Sequence, residues 1–407
     1  MIASACRRFV TSSWAPWALC ALSLALHVVV TVLGADPFKM VDLHVYVDGA
    51  EHLTDGTLYD SVSGTLQLPF TYPPFSALVF AGLSWLPWTV TRMVWELGML
   101  AALPALTYLS LRLLGRAGPG AARPVVGVRG LVLTWSGAAL WLEPVRTNFN
   151  YGQINLFLAV LILGGAVTAK SWLAGTGVGV AAGIKLIPAI TGLYYLLQRR
   201  IAVVAWSVAG FGATIAVMLA IIPRETTRYF TKLMLDPGRT GPVFSAINQS
   251  WRGALARLAG HDVSTSWLIA CVISAALGIW AAWASIQAGD RMAGLLCVQF
   301  VGLLVSPISW SHHWVWVLPL LVWGLLGPRS SDRSVRLLTG AWCVACFSYL
   351  VPILIVIQGA VPVNSRPGWQ SWLGTIYSVL GVVTLLVLAS VARRSVRISA
   401  AANQVRA

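Results

Sequence analysis

Charge is scarce in this chain. Only 10% of its 407 residues are Asp, Glu, Lys or Arg, while 57% are hydrophobic, a balance that excludes an ordinary water-soluble globule. Acid is scarcer still, at 13 residues against 28 Lys and Arg. The six cysteines (Cys6, Cys20, Cys271, Cys297, Cys343, Cys346) have no metal-ligand spacing. Cys343 and Cys346 form a CxxC, but inside an apolar run where packing explains it. There is no Gly-rich nucleotide loop on a βα unit, no DxD triplet, no internal repeat, no low-complexity tract and no soluble domain at either end. The net charge of +15 does not point to nucleic acid. Its Arg residues sit in short loops between apolar segments, the positive-inside pattern, with no basic groove.

What is present is apolar sequence in lengths near the ~20 residues that cross a bilayer. Candidate segments run roughly over 14–34, 74–88, 93–114, 127–142, 153–169, 173–197, 201–223, 265–287, 292–306, 313–327, 336–358 and 371–392. The first follows Arg7 and Arg8 as a signal peptide would, but it is long enough to span and many others follow, so it reads as a transmembrane helix. The expectation is one all-α polytopic membrane domain over 1–407, with about 12 segments and both termini inside. Gln198-Arg199-Arg200, then Arg329, Arg333 and Arg336, then Arg393, Arg394 and Arg397 mark the cytoplasmic side. The loops 35–72, 224–264, 307–312 and 359–370 then share the outer face. One stretch resists: Arg112, Arg116, Arg123 and Arg129 favour the inside, yet counting helices puts them outside. Either a short segment is re-entrant or a helix lies on the surface.

Six of the thirteen acids (Asp36, Asp42, Asp48, Glu51, Asp55, Asp60) fall in the loop 35–72 against a single Lys39. That loop carries −5 while the rest of the chain carries +20. Asp42 and Asp48 follow the first segment closely, where burial beside lipid raises a carboxylate's pKa toward working pH and suits it to take a proton from a sugar hydroxyl. A charge run usually only solvates a loop; here it is framed by Tyr46, Tyr59 and Tyr72-Pro73-Pro74. The Pro pair sets the backbone at the start of the next helix.

Four more clusters carry polar groups into apolar surroundings. Glu143 to Asn155 contains Arg146, Asn150, Gln153 and Asn155, more than helix capping needs, and amides of this kind hold sugar hydroxyls. Lys185 sits in an apolar helix about twelve residues from the Arg199 end, roughly 18 Å deep, too far to reach water at that end. Such a cation faces a cavity and a partner, either a lipid-linked phosphate or an internal carboxylate, for which Glu143 is the obvious candidate. Asn248-Gln249-Ser250-Trp251-Arg252 offers a guanidinium for a phosphate or, equally, an interfacial anchor. Trp310-Ser311-His312-His313 carries adjacent histidines, which diverge too far on a helix to make a metal site alone; one can donate to a leaving phosphate or move a proton.

These elements in this order (DLHVYVDGA, GTLYD and PFTYPPF in the first loop, then NYGQINLFL, GIKLIPAI, NQSWRGALARL and SPISWSHHW) resemble glycosyltransferase family 87, the actinobacterial polyprenyl-phosphate-mannose-dependent α-(1→2)-mannosyltransferases of the GT-C fold class. The likeness runs from residue 42 to 314 and covers most of the chain. It implies an enzyme in the plasma membrane with its active site on the outer face. The donor would be polyprenyl-phosphate-mannose and the acceptor a phosphatidylinositol mannoside, taken from tetramannoside to pentamannoside, with no cofactor or metal demanded. Branching of lipomannan or lipoarabinomannan is the alternative acceptor, and a lipid-linked-sugar flippase the alternative class. On this reading Asp42 or Asp48 is the base, with Asp42 favoured. Lys185, Arg252 and His312 or His313 stabilise the phosphate, while Tyr46, Tyr72, Arg146, Asn150, Gln153, Asn248, Gln249 and Trp310 bind sugars.

Overall fold

Proline decides where several helices of this chain begin and stop. The structure, a computed structural model, describes residues 14–33, 40–64, 66–118, 127–359 and 361–404. Cys6, Arg7, Arg8, Asp36, Lys39, Arg123 and the Arg397 side chain lie outside what it describes. Helix α1 (Ala15–Leu33) leads to α2 (Val41–Glu51), so the acidic loop is built around a helix. Two-residue strands β1 (Val62–Ser63) and β2 (Leu68–Pro69) pair antiparallel, Val62 opposite Pro69. Then come α3 (Pro74–Ser84) and α4 (Trp88–Leu113). Pro74 starts α3, where a missing N–H costs nothing, and Pro73 before it is extended at φ −54° and ψ 148°.

The expected crossing at 74–88 does not occur. His44 near the start of α2 stacks on Trp88 at 3.6 Å between ring centroids, and Tyr46 stacks on Phe80 in α3. Tyr72, just before α3, also meets Tyr46, at 5.0 Å between ring centroids, so the chain on either side of α3 lies beside α2 and the segment is re-entrant. The Arg puzzle resolves with it: α4 carries Arg116 to the far end, where its Nε donates to the Leu326 carbonyl at 3.0 Å, beside the Arg329 loop.

After α5 (Gly127–Ala139), α6 (Glu143–Tyr151) and α7 (Asn155–Val167), the expected span 173–197 is a hairpin. Helix α8 (Ser171–Ile184) stops, Lys185 is extended at φ −151° and ψ 127°, a 3-10 turn covers Ile187–Ile190, and α9 (Thr191–Leu197) returns. Pro188 supplies the cause: its ring would clash with the carbonyl of residue 184, where the helix ends. A Cβ on Gly165 would lie 3.2 Å from the Tyr195 hydroxyl and 3.3 Å from Ala174 Cα. One straight helix would hold those two residues roughly 31 Å apart. Lys185 is thus at the tip of a turn, not within a helix.

Helix α10 (Ile201–Ile221) packs closely on α8, because Gly175, Gly179 and Gly183 present bare backbone to it; a Cβ on Gly179 would meet Ser207 O at 2.5 Å. Lipid offers helices little hydrophobic drive to associate, so close packing of this kind carries the contact. The chain continues through α11 (Pro223–Thr231), α12 (Trp251–Ala259), α13 (Ser264–Gln287), α14 (Arg291–Val305), a 3-10 turn (Ser311–Trp316), α15 (Val317–Leu326), α16 (Arg333–Phe347), α17 (Leu350–Gln358), α18 (Gly368–Leu373) and α19 (Ile376–Gln404). The α16–α17 segment bends at Tyr349, which adopts the left-handed region at φ 53°.

Among the described residues, five segments are long and apolar enough to cross a membrane: Trp88–Leu113, Ile201–Ile221, Ser264–Gln287, Arg333–Gln358 and Ile376–Arg394. Shorter apolar helices pack among them, α14 with nearly every side chain buried, as an all-round apolar helix should be. This is an all-α, multi-pass membrane protein. The expected boundaries change at two places, since 74–88 turns back and 173–197 is two helices joined at Lys185. The loops 35–72, 224–264, 307–312 and 359–370 are tied together: Arg228 to Asp60, Arg239 to the Tyr59 carbonyl, Asn248 paired with Trp310, and Arg366 to the Phe244 carbonyl.

Candidate active site

A cavity of about 570 Å³ opens between α2, the β1–β2 hairpin, the Lys185 tip, the α10–α13 loop and the Trp310 turn. Its polar wall holds Asp42, Tyr72, Gln153, Lys185, Trp310 and His313; Leu186, Ile187, Leu233 and Leu235 supply an apolar side suited to lipid chains.

Gln153 is the hub. Its Nε2 donates to Asp42 Oδ2 at 2.7 Å, while its Oε1 accepts from Tyr46 OH at 3.1 Å, Lys185 Nζ at 3.2 Å and Asn155 Nδ2 at 3.2 Å. It reaches this position because α6 ends at Gly152, left-handed at φ 70°, and a Cβ there would stand 2.7 Å from Leu43 Cβ. Only glycine allows both that turn and that approach of α6 to α2. The Tyr72 hydroxyl lies 3.2 Å from that of Tyr46, which with its own proton on Gln153 is left to accept.

Asp42 lies in the first turn of α2, half-buried. Burial pushes its carboxyl up to about 6, against the opposing pull of the Gln153 hydrogen bond and the Lys185 charge. The group is thus ionised at neutral pH yet basic enough to accept a proton. Asp48, six residues on, is turned about 240° around the helix and does not line the cavity.

Lys185 Nζ donates to Asn155 Oδ1 at 2.9 Å as well as to Gln153, and sits 5.4 Å from the Tyr72 ring centre. Its partners are amides and the nearby Asp42 charge. Glu143, the carboxylate expected beside it, is committed elsewhere: it accepts from Ser311 Oγ at 2.7 Å, Thr147 Oγ1 at 2.8 Å and Tyr377 OH at 2.7 Å. Together with Asn148 and Asn155, which both donate to the His312 carbonyl, at 2.8 and 3.1 Å, Glu143 fixes the His312–His313 turn. His313 faces the cavity; His312 lies behind it, 4.8 Å away ring to ring, and neither of its ring nitrogens has a partner among the described residues.

Besides Asp48 and His312, the buried Tyr46 and five further residues named from the sequence stand outside the lining. Arg146 bonds His27 Nδ1 at 2.6 Å and lies over Trp141. Asn150 gives its main-chain carbonyl to Met40 N. Asn248 and Gln249 are fully buried struts, the first bracing Trp310 and the second bridging Ala246, Gly374 and Tyr377. Arg252 is taken up by Asp262 and by the face of Trp267. The cation that does line the cavity from this loop is Arg239, which sequence reasoning passed over. The sequence signal available for it was only an Arg in an Asp-Pro-Gly turn, one of several cations in the 224–264 loop. Tyr59 and Tyr229, stacked at 5.5 Å, line the same wall. Among the described residues no three His, Cys, Asp or Glu side chains gather in metal-ligating positions.

The family model of glycosyltransferase family 87 matches residues 70–307. A Mycolicibacterium smegmatis protein is 40% identical over 375 residues, 90% of this chain and 89% of its own; its name is polyprenol-phosphate-mannose-dependent alpha-(1-2)-phosphatidylinositol pentamannoside mannosyltransferase. The chain belongs to glycosyltransferase family 87. A Mycobacterium tuberculosis (CDC 1551) member of that name is 40% identical over 386 residues, covering 93% of this chain and 88% of its own. An alignment of that reach cannot leave out the stretch from Asp42 to His313, both of which the family model's own match omits. A further relative, from M. tuberculosis H37Rv and named for phosphatidylinositol mannoside without the pentamannoside, is 34% identical over 347 residues, 81% of this chain and 80% of its own. No solved structure matches this chain.

Proposed function

We propose that this family 87 enzyme transfers mannose from polyprenyl-phosphate-mannose to a phosphatidylinositol mannoside, forming an α-(1→2) linkage at the outer face of the plasma membrane. The observation that carries the reading is Asp42 joined through Gln153 to Lys185, a base and a cation held at one cavity wall beside an apolar side. The relatives at 40% identity are named for the phosphatidylinositol pentamannoside and one at 34% for a phosphatidylinositol mannoside, which supports an acceptor of that class.

Asp42 takes the proton of the acceptor hydroxyl, and the freed oxygen lone pair attacks the anomeric carbon from the face opposite the phosphate. The anomeric carbon–oxygen bond breaks, and its electron pair leaves on polyprenyl phosphate. A β-linked donor so gives an α-product. Negative charge builds on the departing phosphate, which Lys185 and His313 meet. Arg239, across the cavity, takes the place expected for Arg252 as the loop cation open to a substrate phosphate. Tyr72 and Trp310 present ring faces to the sugars.

The test is transfer of radiolabelled mannose from synthetic polyprenyl-phosphate-mannose by purified protein in liposomes, with phosphatidylinositol tetramannoside as acceptor. A mannosidase-sensitive α-(1→2) product that disappears with Asp42→Ala is expected. Transfer only to longer mannans would move the acceptor assignment, and passage of lipid-linked sugar across the bilayer without transfer would refute the enzyme reading.

A further inference from the structure

At the end of the bundle away from the active site, α13 and α19 enclose a second cavity of about 360 Å³, lined by Trp280, Leu386, Ala389, Ser390, Arg393 and Arg394. Helix α19 starts beside the Glu143–Tyr377 contact, so sixteen residues on, Arg393 lies roughly 24 Å further along the helix. Both helices are among the five that can cross a membrane, and both reach the same end with these residues.

The cavity is amphipathic in a definite direction. Leu386 is 51% exposed and, with Ala389, forms an apolar wall running from the Arg pair toward the membrane interior. At the polar end the Arg393 guanidinium lies 4.4 Å from the Trp280 ring centre. Arg394 is bound to Asp332 at 2.8 Å, which offsets much of its charge. Among the described residues Arg393 has no carboxylate within ion-pair distance. Arg116, Arg200, Arg291 and Arg329 lie toward the same end, Arg329 beside Asp290 and the Leu388–Ala392 stretch of α19. The other carboxylate at this end, Asp290, is committed to Ala293 N and Trp323 Nε1.

We propose that this cavity binds the headgroup of an anionic phospholipid, with the phosphodiester on Arg393 and an acyl chain along Leu386 and Ala389. A guanidinium pre-set on an indole face presents its free N–H edges to phosphate oxygens in a fixed plane. A choline headgroup is disfavoured for a reason specific to the site: its cation would meet two arginines, and the aromatic face that could receive it is already covered by Arg393. Basic pockets between membrane helices at a positively charged end take anionic headgroups by this chemistry. The site is separate from the transferase cavity and independent of what that cavity transfers.

The protein is purified in detergent, stripped of lipid, and titrated by native mass spectrometry with dioleoylphosphatidylglycerol or dioleoylphosphatidylcholine. Preferential retention of the glycerol lipid is expected, and Arg393→Gln should weaken it roughly fivefold, the worth of one interfacial arginine. Leu386→Trp, which fills the apolar wall while keeping both charges, should reduce it independently. Mannosyl transfer by both variants checks that they fold, since neither residue is near the active site. Equal retention of both lipids, or wild-type retention by both variants, overturns the proposal. Displacement by millimolar inorganic phosphate also overturns it, in favour of a soluble phosphate ligand.

Discussion

The hydrogen bond from Gln153 to Asp42 should set the acid limb of the enzyme's pH profile. With Asp42 as base, only the carboxylate form is active, so kcat/KM should be half-maximal near the value of about 6 and fall tenfold per pH unit below it. Gln153 stabilises the charged form, so removing its N–H must raise the pKa and move the limb to higher pH. A hydrogen bond to a charged group contributes about 1.5–3 kcal/mol, which corresponds to roughly one to two pH units. Gln153→Leu also takes an acceptor from Lys185 Nζ, which keeps Asn155 Oδ1 at 2.9 Å, so the cation remains placed to oppose part of the shift. The assay is initial-rate mannosyl transfer in liposomes over pH 4.5 to 8.5, on the order of ten points spanning the ordinary carboxylate range to above it. A Gln153→Leu enzyme that keeps measurable activity with an unmoved acid limb would refute the link between the amide and the base. A wild-type profile flat through this range would refute Asp42 as the titrating base altogether.

Asp42→Asn should cost roughly 100- to 10,000-fold in transfer, the usual worth of a general base, while Asp48→Asn should stay near wild type because Asp48 does not line the cavity; equal loss from both in the same assay would contradict the orientation of α2. Glu143→Gln puts an amide where three hydroxyls donate, leaving at least one of Ser311, Thr147 and Tyr377 unmatched. It should lower stability by about 1–3 kcal/mol and lower kcat more than it raises KM, since the His313 turn loses its brace; an unchanged melting temperature with unchanged kcat would count against that bracing role. Gly152→Ala should destabilise by more than about 1 kcal/mol, because the left-handed turn and the Leu43 contact both oppose a Cβ; thermal unfolding in detergent reads it.

Apolar length read the broad architecture well and its turns badly. A hydrophobic run reports that a segment sits among lipid or packed helices, not which way it travels, so 74–88 and 173–197 look the same as crossings. The information that separates them is local. Pro188 stands four residues after the place where α8 ends, and the Tyr72-Pro73-Pro74 start leaves only eleven residues before the helix stops, too few to cross at 1.5 Å each. The misplaced Arg116 was the remaining signal, since a charge that violates the positive-inside pattern implies a missing turn. Within the site, Lys185, Asp42 and Gln153 stood out because each carries polarity into an apolar context that must be matched from elsewhere in the chain. Arg146 and Asn248 stood out for the same reason, yet the structure matches them internally, with His27 and with the Val243 and Pro307 carbonyls. Sequence locates buried polarity but not its partner, and the partner distinguishes a residue that holds the protein together from one that faces a substrate. The same distinction moves the proposed loop cation from Arg252, which has found Asp262, to Arg239, which lines the cavity and whose hydrogen bond goes to the neutral Tyr59 carbonyl.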